Sequence, residues 1–171
     1  MKIIQFPSTY VNYSRLVVGG AHGKTTTAAM IAFALRETGH DPSFVIGGLV
    51  PQLGGNAGVG TGYLVVEGDE SDRSIGDLHP ELAVVTNIEL DHFGSYGSEA
   101  ELTAFFESWL ATVPHVVRSW ELEPVTFELG VPGAHNRQNA AAALAALELA
   151  GVPRAEAEPA LRRFAGADPR F

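Results

Sequence analysis

The stretch from Arg15 to Gly39 constrains the fold more than any other part of this chain. The apolar run "RLVVGG" ends in glycines and leads directly into "KTTTAAMIAFALRETG", a run of residues that favour a helix. Arg36 lies in the last predicted turn of that helix, and Gly39 is its stop signal. The order predicts a buried strand, a tight glycine loop and a helix that is buried on most of its sides.

The rest of the chain repeats this alternation of strands and helices. Further strands are predicted at "DPSFVIGG", "YLVVEGDESD", "LAVVTNIELDH", "HVVRSW" and "PVTFEL", and "LVPQLGGNAGVGTG" predicts a glycine-rich loop. Helices are predicted at "SEAELTAFFESWLATV", with a capping box at Ser98 and Glu101, and at "NRQNAAAALAALELAG". The tail "AEPALRRFAGADPRF" is predicted to contain a short helix followed by an extended exit. The predicted fold is a doubly wound α/β domain like that of P-loop NTPases. Its sheet is mostly parallel, with helices on both faces.

Composition excludes several classes of function. The 171 residues suit one domain, and the net charge of −9 without a basic stripe argues against nucleic-acid binding. The chain has no cysteine, which excludes disulfides and thiolate metal sites and fits a cytoplasmic location. The longest apolar run, "AAAALAALELA", is too short to span a membrane and contains Glu148. Only two lysines are present, Lys2 and Lys24.

The loop around Lys24 has the composition of a phosphate-binding loop. Gly20 and Gly23 permit a tight turn, and backbone amides at a helix N-terminus attract anions. Lys24 supplies a cation for the outer phosphates, and the Thr25 hydroxyl can ligate Mg²⁺. The common spacing G-x-x-x-x-G-K-[ST] requires a glycine where Val18 stands. A threonine-capped helix start is the alternative, but the preceding strand and following helix favour phosphate binding.

Acidic and polar residues follow two of the predicted strands: Glu67, Asp69, Glu70 and Asp72 after one, and Asn87, Glu89, Asp91 and His92 after the other. The carboxyl ends of parallel strands gather around a ligand in such sheets. Glu67 belongs to an apolar strand, where an unpaired carboxylate is costly, so it is predicted to bind a metal or form an ion pair. For Glu70 and Asp72 the favoured interpretation is a solvated turn.

The segment "GGAHGKTTTAAM" resembles the loop of the Mur ligases and their folate-polyglutamate relatives, which is written G-[TS]-[NH]-G-K-[TS]-[TS]. Gly20 is the first glycine of that pattern, so the family needs none at Val18, and Ala21 replaces the usual threonine or serine. Further segments are similar to the family's central domain, in the family's order: "DPSFVIGG", "YLVVEGDESD", "AVVTNIELDHFGSYGS", "GAHNRQNAAAA" and "LRRFAGADPRF". Together they cover roughly residues 16 to 171.

The resemblance implies a set of site residues. It assigns ATP binding to Gly20, Ala21, His22, Gly23, Lys24, Thr25, Thr26, Asn136 and Asn139, Mg²⁺ binding to Thr25, Glu67 and His92, and catalytic roles to Lys24, Glu67 and His92. Asn139 is favoured for contact with adenine, while Asn136 has a helix cap as its alternative. The family often has an arginine where Ala134 stands. No carbamylated lysine is expected, and His40, His79 and His115 are predicted to be ordinary surface or core residues.

The implied activity is amide-bond formation in peptidoglycan precursor synthesis. Within the family, "HGKTTT" is most similar to ligases that act on UDP-N-acetylmuramate. In these ligases ATP converts a carboxylate to an acyl phosphate, and an amine, either L-alanine or a preformed tripeptide, attacks it. Residues 15–165 are expected to be the central domain, 1–14 an N-terminal extension and 166–171 the start of a linker to a third domain. The stretch from Trp109 to Gly133 is expected to be shorter than in the family.

A central domain without the two others is expected to be inactive alone, and its uncovered face could drive self-association. Two other functions stay open at this point. One is a non-catalytic nucleotide-binding module that keeps the fold without turnover. The other is a small P-loop kinase or NTPase, although such enzymes usually have an aspartate where Glu67 ends its strand.

Overall fold

A computed structural model describes residues 15–89 and 95–168. The strands are Arg15–Gly19 (β1), Ser43–Val50 (β2), Gly55–Gly58 (β3), Leu64–Glu67 (β4), Leu82–Val85 (β5) and His115–Arg118 (β6). The α-helices are Lys24–Glu37 (α1), Glu99–Leu110 (α2), Ala134–Leu149 (α3) and Arg154–Arg163 (α4). Short 3-10 helices lie at Pro51–Leu53, Ser74–Asp77 and Ser119–Glu121.

The six strands form one sheet in the order β3-β2-β4-β1-β5-β6. Every neighbouring pair is parallel except β2 and β3, which are antiparallel. Strand β1 therefore lies in the middle of the sheet, with β2, β3 and β4 on one side of it and β5 and β6 on the other. This confirms the predicted doubly wound, mostly parallel α/β fold.

Helices cover both faces of this sheet because the strands are apolar on both sides. In β1, Leu16 and Val18 point into a core shared with α1, α3 and α4, whereas Val17 points into a second core shared with α2. In β5, Val84 points into the first core and Val85 into the second. The alternation follows from the two-residue period of a strand.

Helix α1 is buried along most of its length, as predicted from its apolar residues. Residues 27–35 are all buried, and α1 packs against β1, α3 and α4. Helix α3 contributes mainly alanines to this contact, which lets two helices approach closely. In residues 15–89 and 95–168, no helix has the length and apolar character that crossing a membrane requires.

Two predictions about local structure were wrong. The glycine-rich segment expected to be a loop contains β3, because β2 continues to Val50 and the chain returns as an antiparallel edge strand. Residues 124–129, expected to be a strand, are irregular. Their polar backbone groups bond to α3 instead, since the amide of Val125 donates to the Arg137 carbonyl and the Arg137 side chain donates to the Val125 carbonyl.

The predicted capping box at the start of α2 forms in a modified way. The Ser98 hydroxyl accepts a hydrogen bond from the Glu101 amide at 3.2 Å, as the pattern requires. The Glu101 carboxylate accepts from the Gly97 amide at 2.8 Å, one residue before the cap. Glu101 also pairs with Arg73, so this helix start is tied to the turn that follows β4.

The Thr27 hydroxyl generates a stability prediction. It is fully buried in α1 and has no hydrogen-bond partner in the described part of the chain. Thr27→Val keeps the side-chain shape and removes an unpaired polar atom. We expect the free energy of unfolding to stay the same or rise by up to about 1 kcal/mol in urea denaturation.

Thr38→Val is the matched control. The Thr38 hydroxyl donates to the Ala34 carbonyl at 2.8 Å at the other end of α1, so the same substitution should lower the free energy of unfolding by about 1 kcal/mol. An equal loss at both positions would contradict the assignment of Thr27 as unpaired.

Candidate phosphate-binding site

The loop between β1 and α1 turns sharply at two glycines. Gly20 and Gly23 have φ angles of 120° and 83°, and Gly23 is the N-cap of α1. A Cβ at Gly23 would lie 2.5 Å from Oδ1 of Asn139, so a larger residue would also collide with α3. Among the described residues, the amides of Lys24, Thr25 and Thr26 have no backbone acceptor, which is usual for a first helical turn. Such amides form a natural anion site.

Asn87, just after β5, shapes the first half of this loop. Its carbonyl accepts from the Ala21 amide at 3.3 Å, and its side-chain Oδ1 accepts from the His22 amide at 2.9 Å. Sequence analysis placed Asn87 at a strand end but did not find this role. The polar residue directly after an apolar strand was the available signal.

Lys24 is fully bonded to groups of the protein. Its ammonium donates to the Gly20 carbonyl at 2.6 Å and to both carboxylate oxygens of Glu70 at 3.0 Å. The side chains of Lys24 and Glu70 are only 17% and 13% exposed. The interpretation of Glu70 as part of a solvated turn was therefore wrong, because the register of β4 beside β1 brings this turn to the loop.

Glu67 ends β4 next to Thr25. Both carboxylate oxygens of Glu67 accept from the Thr25 hydroxyl, at 2.9 and 3.0 Å, and Oε2 also accepts from the Gly47 amide at 2.7 Å. A Cβ at Gly47 would lie 2.7 Å from the same oxygen. Gly47 thus fixes the position of Glu67 by close approach, a role that sequence analysis missed within "FVIGG".

Thr25 and Glu67 fit the chemistry of Mg²⁺, which prefers oxygen ligands and usually keeps several waters together with phosphate oxygens. The hydroxyl and the carboxylate already lie within hydrogen-bond distance of each other. Across residues 15–89 and 95–168, no three histidine, aspartate or glutamate side chains converge on one point as a complete metal cage would require. The pair suits a metal that a nucleotide brings with it.

The second predicted metal ligand, His92, lies outside the described residues, as does Asp91. His22 is exposed, and its Nε2 is 3.8 Å from Oε2 of Glu89. The histidines predicted to be ordinary surface or core residues agree with that prediction: His79 and His115 are exposed, and Nδ1 of the half-buried His40 lies 3.0 Å from the Thr38 hydroxyl.

Asn136 and Asn139 lie on one side of α3, close to the loop. Both are buried, and the Asn139 amide donates to Oδ1 of Asn136 at 3.2 Å. Asn136 donates to the Pro132 carbonyl at 2.6 Å from within the helix, whose N-cap is Gly133. The alternative of Asn136 as the helix cap was therefore wrong. Contact of either asparagine with adenine stays a prediction.

The turn that carries Glu70 is fastened by charged and aromatic groups. Arg73, at a φ of 64°, stacks 4.6 Å from the Tyr96 ring and pairs with Glu101. The Gly97 amide, followed by Arg73, lowers the pKa of Glu101, and burial raises the pKa of Tyr96. Asp72 is exposed, as predicted, and hydrogen bonds from Ser74 lower its pKa.

The loop at the start of α1, with a carboxylate at the end of the adjacent strand, defines a P-loop α/β domain. Comparison with known proteins makes the assignment more specific. The model of the Mur ligase middle domain matches residues 18–115. The chain belongs to the Mur ligase family.

The similar proteins are ligases whose names contain UDP-N-acetylmuramate. It is 38% identical to the UDP-N-acetylmuramate–L-alanine ligase of Renibacterium salmoninarum, over 91% of this chain and 44% of that protein. The crystal structure of UDP-N-acetylmuramate-alanine ligase from Thermotoga maritima superposes with a TM-score of 0.81 at 27% identity, over 91% of this chain and 46% of that one. The crystal structure of UDP-N-acetylmuramate:L-alanyl-gamma-D-glutamyl-meso-diaminopimelate ligase from Neisseria meningitides superposes with a TM-score of 0.76 at 25% sequence identity. The superposition covers 89% of this chain and 66% of that one.

The chain spans less than half the length of the curated relatives it matches. The alignment with the Renibacterium protein runs over 208 positions, more than the 171 residues of this chain. That relative therefore contains residues within the matched span that have no counterpart here.

The contact between Gly47 and Glu67 generates a prediction for this site. Gly47→Ala should push the Glu67 carboxylate out of hydrogen-bond distance of Thr25, because the new methyl would overlap Oε2. We expect the free energy of unfolding to fall by about 1 kcal/mol, because the overlapped atom is the end of a flexible side chain and the loss is that of a hydrogen bond. Urea denaturation and a crystal structure of the variant would measure the two effects.

Gly55→Ala is the control, because the nearest atom to its Cβ would be 3.6 Å away. This variant should stay within about 0.5 kcal/mol of the wild type. If Gly47→Ala were equally harmless and left Glu67 in place, Gly47 would have no positioning role.

Proposed function

We propose that this chain supplies the ATP- and Mg²⁺-binding part of a ligase that joins the carboxylate of UDP-N-acetylmuramate to L-alanine. The observation that carries the proposal is the convergence of Lys24, Thr25 and Glu67 at the N-terminus of α1. The names of the relatives support the choice of substrates. Because ATP and UDP-linked sugars are cytoplasmic metabolites, we propose the same location for the protein.

The loop amides and Lys24 bind the triphosphate. Amides at the start of α1 donate to phosphate oxygens, and the helix dipole adds positive potential at the same point. The Lys24 ammonium extends from the first residue of the helix, within reach of the outer phosphates. The protein thereby places positive charge where negative charge moves during phosphoryl transfer.

Thr25 and Glu67 are the residues that would hold Mg²⁺, with Gly47 orienting the carboxylate. When bound, the metal supplies charge neutralisation for the phosphates. His92, proposed as a ligand of a second metal, comes from the family resemblance alone. Asn136 and Asn139, beside the loop, are proposed as the adenine contacts.

The reaction proceeds in two steps, formation of an acyl phosphate and its attack by the amine. A carboxylate oxygen of the sugar substrate attacks the γ-phosphorus of ATP, and the bond to the bridging oxygen breaks to release ADP. The acyl phosphate then reacts with the neutral amine of alanine. The C–N bond forms, the amine loses a proton, and inorganic phosphate leaves. A carboxylate resists amine attack until this activation, which is why ATP is consumed.

A preformed peptide is the second candidate for the incoming amine. It is favoured by the superposition with the Neisseria ligase, whose name includes the tripeptide. The two candidates share every step at Lys24 and differ only in the amine, so one assay with both amines distinguishes them.

Lys24→Ala tests nucleotide binding. Loss of charge-assisted hydrogen bonds to the phosphates should weaken ATP binding by about ten- to a hundredfold in calorimetry with Mg²⁺ present. Lys2→Ala removes the same charge at the only other lysine of the chain and should leave the affinity unchanged. Unchanged binding in Lys24→Ala would overturn the site assignment.

Phosphate release tests the ligase activity. The chain would be mixed with the two remaining domains of a similar ligase, together with ATP and Mg²⁺. Inorganic phosphate should appear only when UDP-N-acetylmuramate and alanine are both present, and Glu67→Gln should reduce the rate at least about tenfold. Release that ignores the sugar substrate would favour a simple NTPase, and release that requires the tripeptide would favour the second candidate.

A further inference from the structure

Glu70 has no role in the proposed reaction, yet both of its carboxylate oxygens accept hydrogen bonds from Lys24. An ammonium has three hydrogens, and all three acceptors are present: the Gly20 carbonyl and both oxygens of Glu70. A phosphate oxygen can therefore bond to Lys24 only if one of these acceptors leaves. The Gly20 carbonyl belongs to the loop backbone, so the carboxylate is the acceptor that can move.

The pair lies where water screens charge weakly. The side chains of Lys24 and Glu70 are mostly buried, and both hydrogen bonds are 3.0 Å long. Glu67 is a second carboxylate at the same loop, bonded to Thr25. The loop thus has one ammonium, paired with Glu70, and a second carboxylate bonded to Thr25, so a triphosphate placed beside them would meet like charges at short range.

Two donors of the described chain hold the backbone carbonyl of Glu70, whereas its carboxylate is bonded only to Lys24 there. Its carbonyl accepts from the Tyr96 hydroxyl at 2.8 Å and from the Arg73 amide at 3.1 Å. Apart from Lys24, no described residue bonds to the carboxylate itself. Because only the backbone is bonded to the rest of the turn, rotation about the side-chain bonds of Glu70 would release Lys24 without breaking the bonds that hold the turn.

We propose that Glu70 is an internal competitor of the nucleotide, with its carboxylate and the terminal phosphates as alternative partners of Lys24. Glu70 then lowers the apparent affinity for every nucleotide whose phosphates reach Lys24. It leaves the affinity for a monophosphate unchanged, since the lysine of such loops serves the outer phosphates. The inference rests on the proposed function, because it requires that nucleotides bind at this loop.

Glu70→Gln tests the competition, since it removes the charge and keeps the shape. Binding of ATP with excess Mg²⁺ would be measured by calorimetry. We expect about tenfold tighter binding, the factor obtained when Lys24 is free of Glu70 for about a tenth of the time. AMP should bind the variant and the wild type equally. Glu70→Ala should tighten ATP binding by a similar factor, which guards against a defect peculiar to glutamine.

Asp72→Asn is the matched control. Asp72 lies two residues away in the same turn, is exposed and bonds to the Ser74 amide, an interaction that asparagine preserves. It removes the same charge without touching Lys24, so it should leave ATP affinity unchanged. An equal gain in this variant would indicate a general charge effect and overturn the proposal.

The remaining outcomes distinguish failure of the competition from failure of the proposed function. Suppose that the wild type binds ATP, that Lys24→Ala weakens this binding, and that Glu70→Gln binds ATP no more tightly than the wild type. This result would overturn the competition and leave the proposed function intact. Absence of ATP binding in both the wild type and Glu70→Gln would overturn the proposed function and this inference together.

Discussion

The parallel pairing of β1 between β4 and β5 is the constraint on which the whole site depends. Val18 lies opposite Glu67 in one ladder, and Gly19 lies opposite Val85 in the other. The ladders continue past the strands, through the bonds from the Gly68 amide to Val18 and from the Thr86 amide to Gly19. The loop after β1 therefore begins between the Glu67 carboxylate at the end of β4 and Asn87 just after β5. A shift of one residue in either pairing would turn these side chains to the opposite face.

The features that could be predicted from the sequence are those that depend on neighbouring residues. The apolar runs identify the central strands, because buried parallel strands need no polar alternation. Gly23, Lys24 and Thr25 adjoin one another at a strand-to-helix junction, so the phosphate-binding role proposed for them could be predicted from neighbouring residues alone. Glu67 could be placed because it ends an apolar run, where a lone carboxylate requires a partner. The family resemblance added the expected nucleotide and substrates.

The features that were missed depend on contacts distant in sequence. Glu70 is 46 residues from Lys24, and Gly47 is 20 residues from Glu67, so neither contact has a periodic signal. The edge strand β3 consists of "GNAG", a composition with low strand propensity that forms only because β2 offers a free edge. Val125 belongs to "PVTFEL", whose alternating apolar residues could fill a core either as a strand or as an irregular segment. Only the position of α3 decides between them.

The charges around Lys24 show why a site for anions can contain so many carboxylates. A buried ammonium without a counterion is costly. A phosphate-binding loop with such an ammonium therefore needs another anion beside it when no phosphate is bound, and that anion must be able to leave when phosphate binds. Glu70 meets that need with a side chain on a fixed turn, while Glu67 is held by two donors and is suited to a metal. The two carboxylates thus differ through their surroundings: within residues 15–89 and 95–168 one is bonded only to Lys24, and the other is fixed by Thr25 and Gly47. That difference is what the proposed competition requires: one carboxylate that a phosphate can replace and one that stays in place.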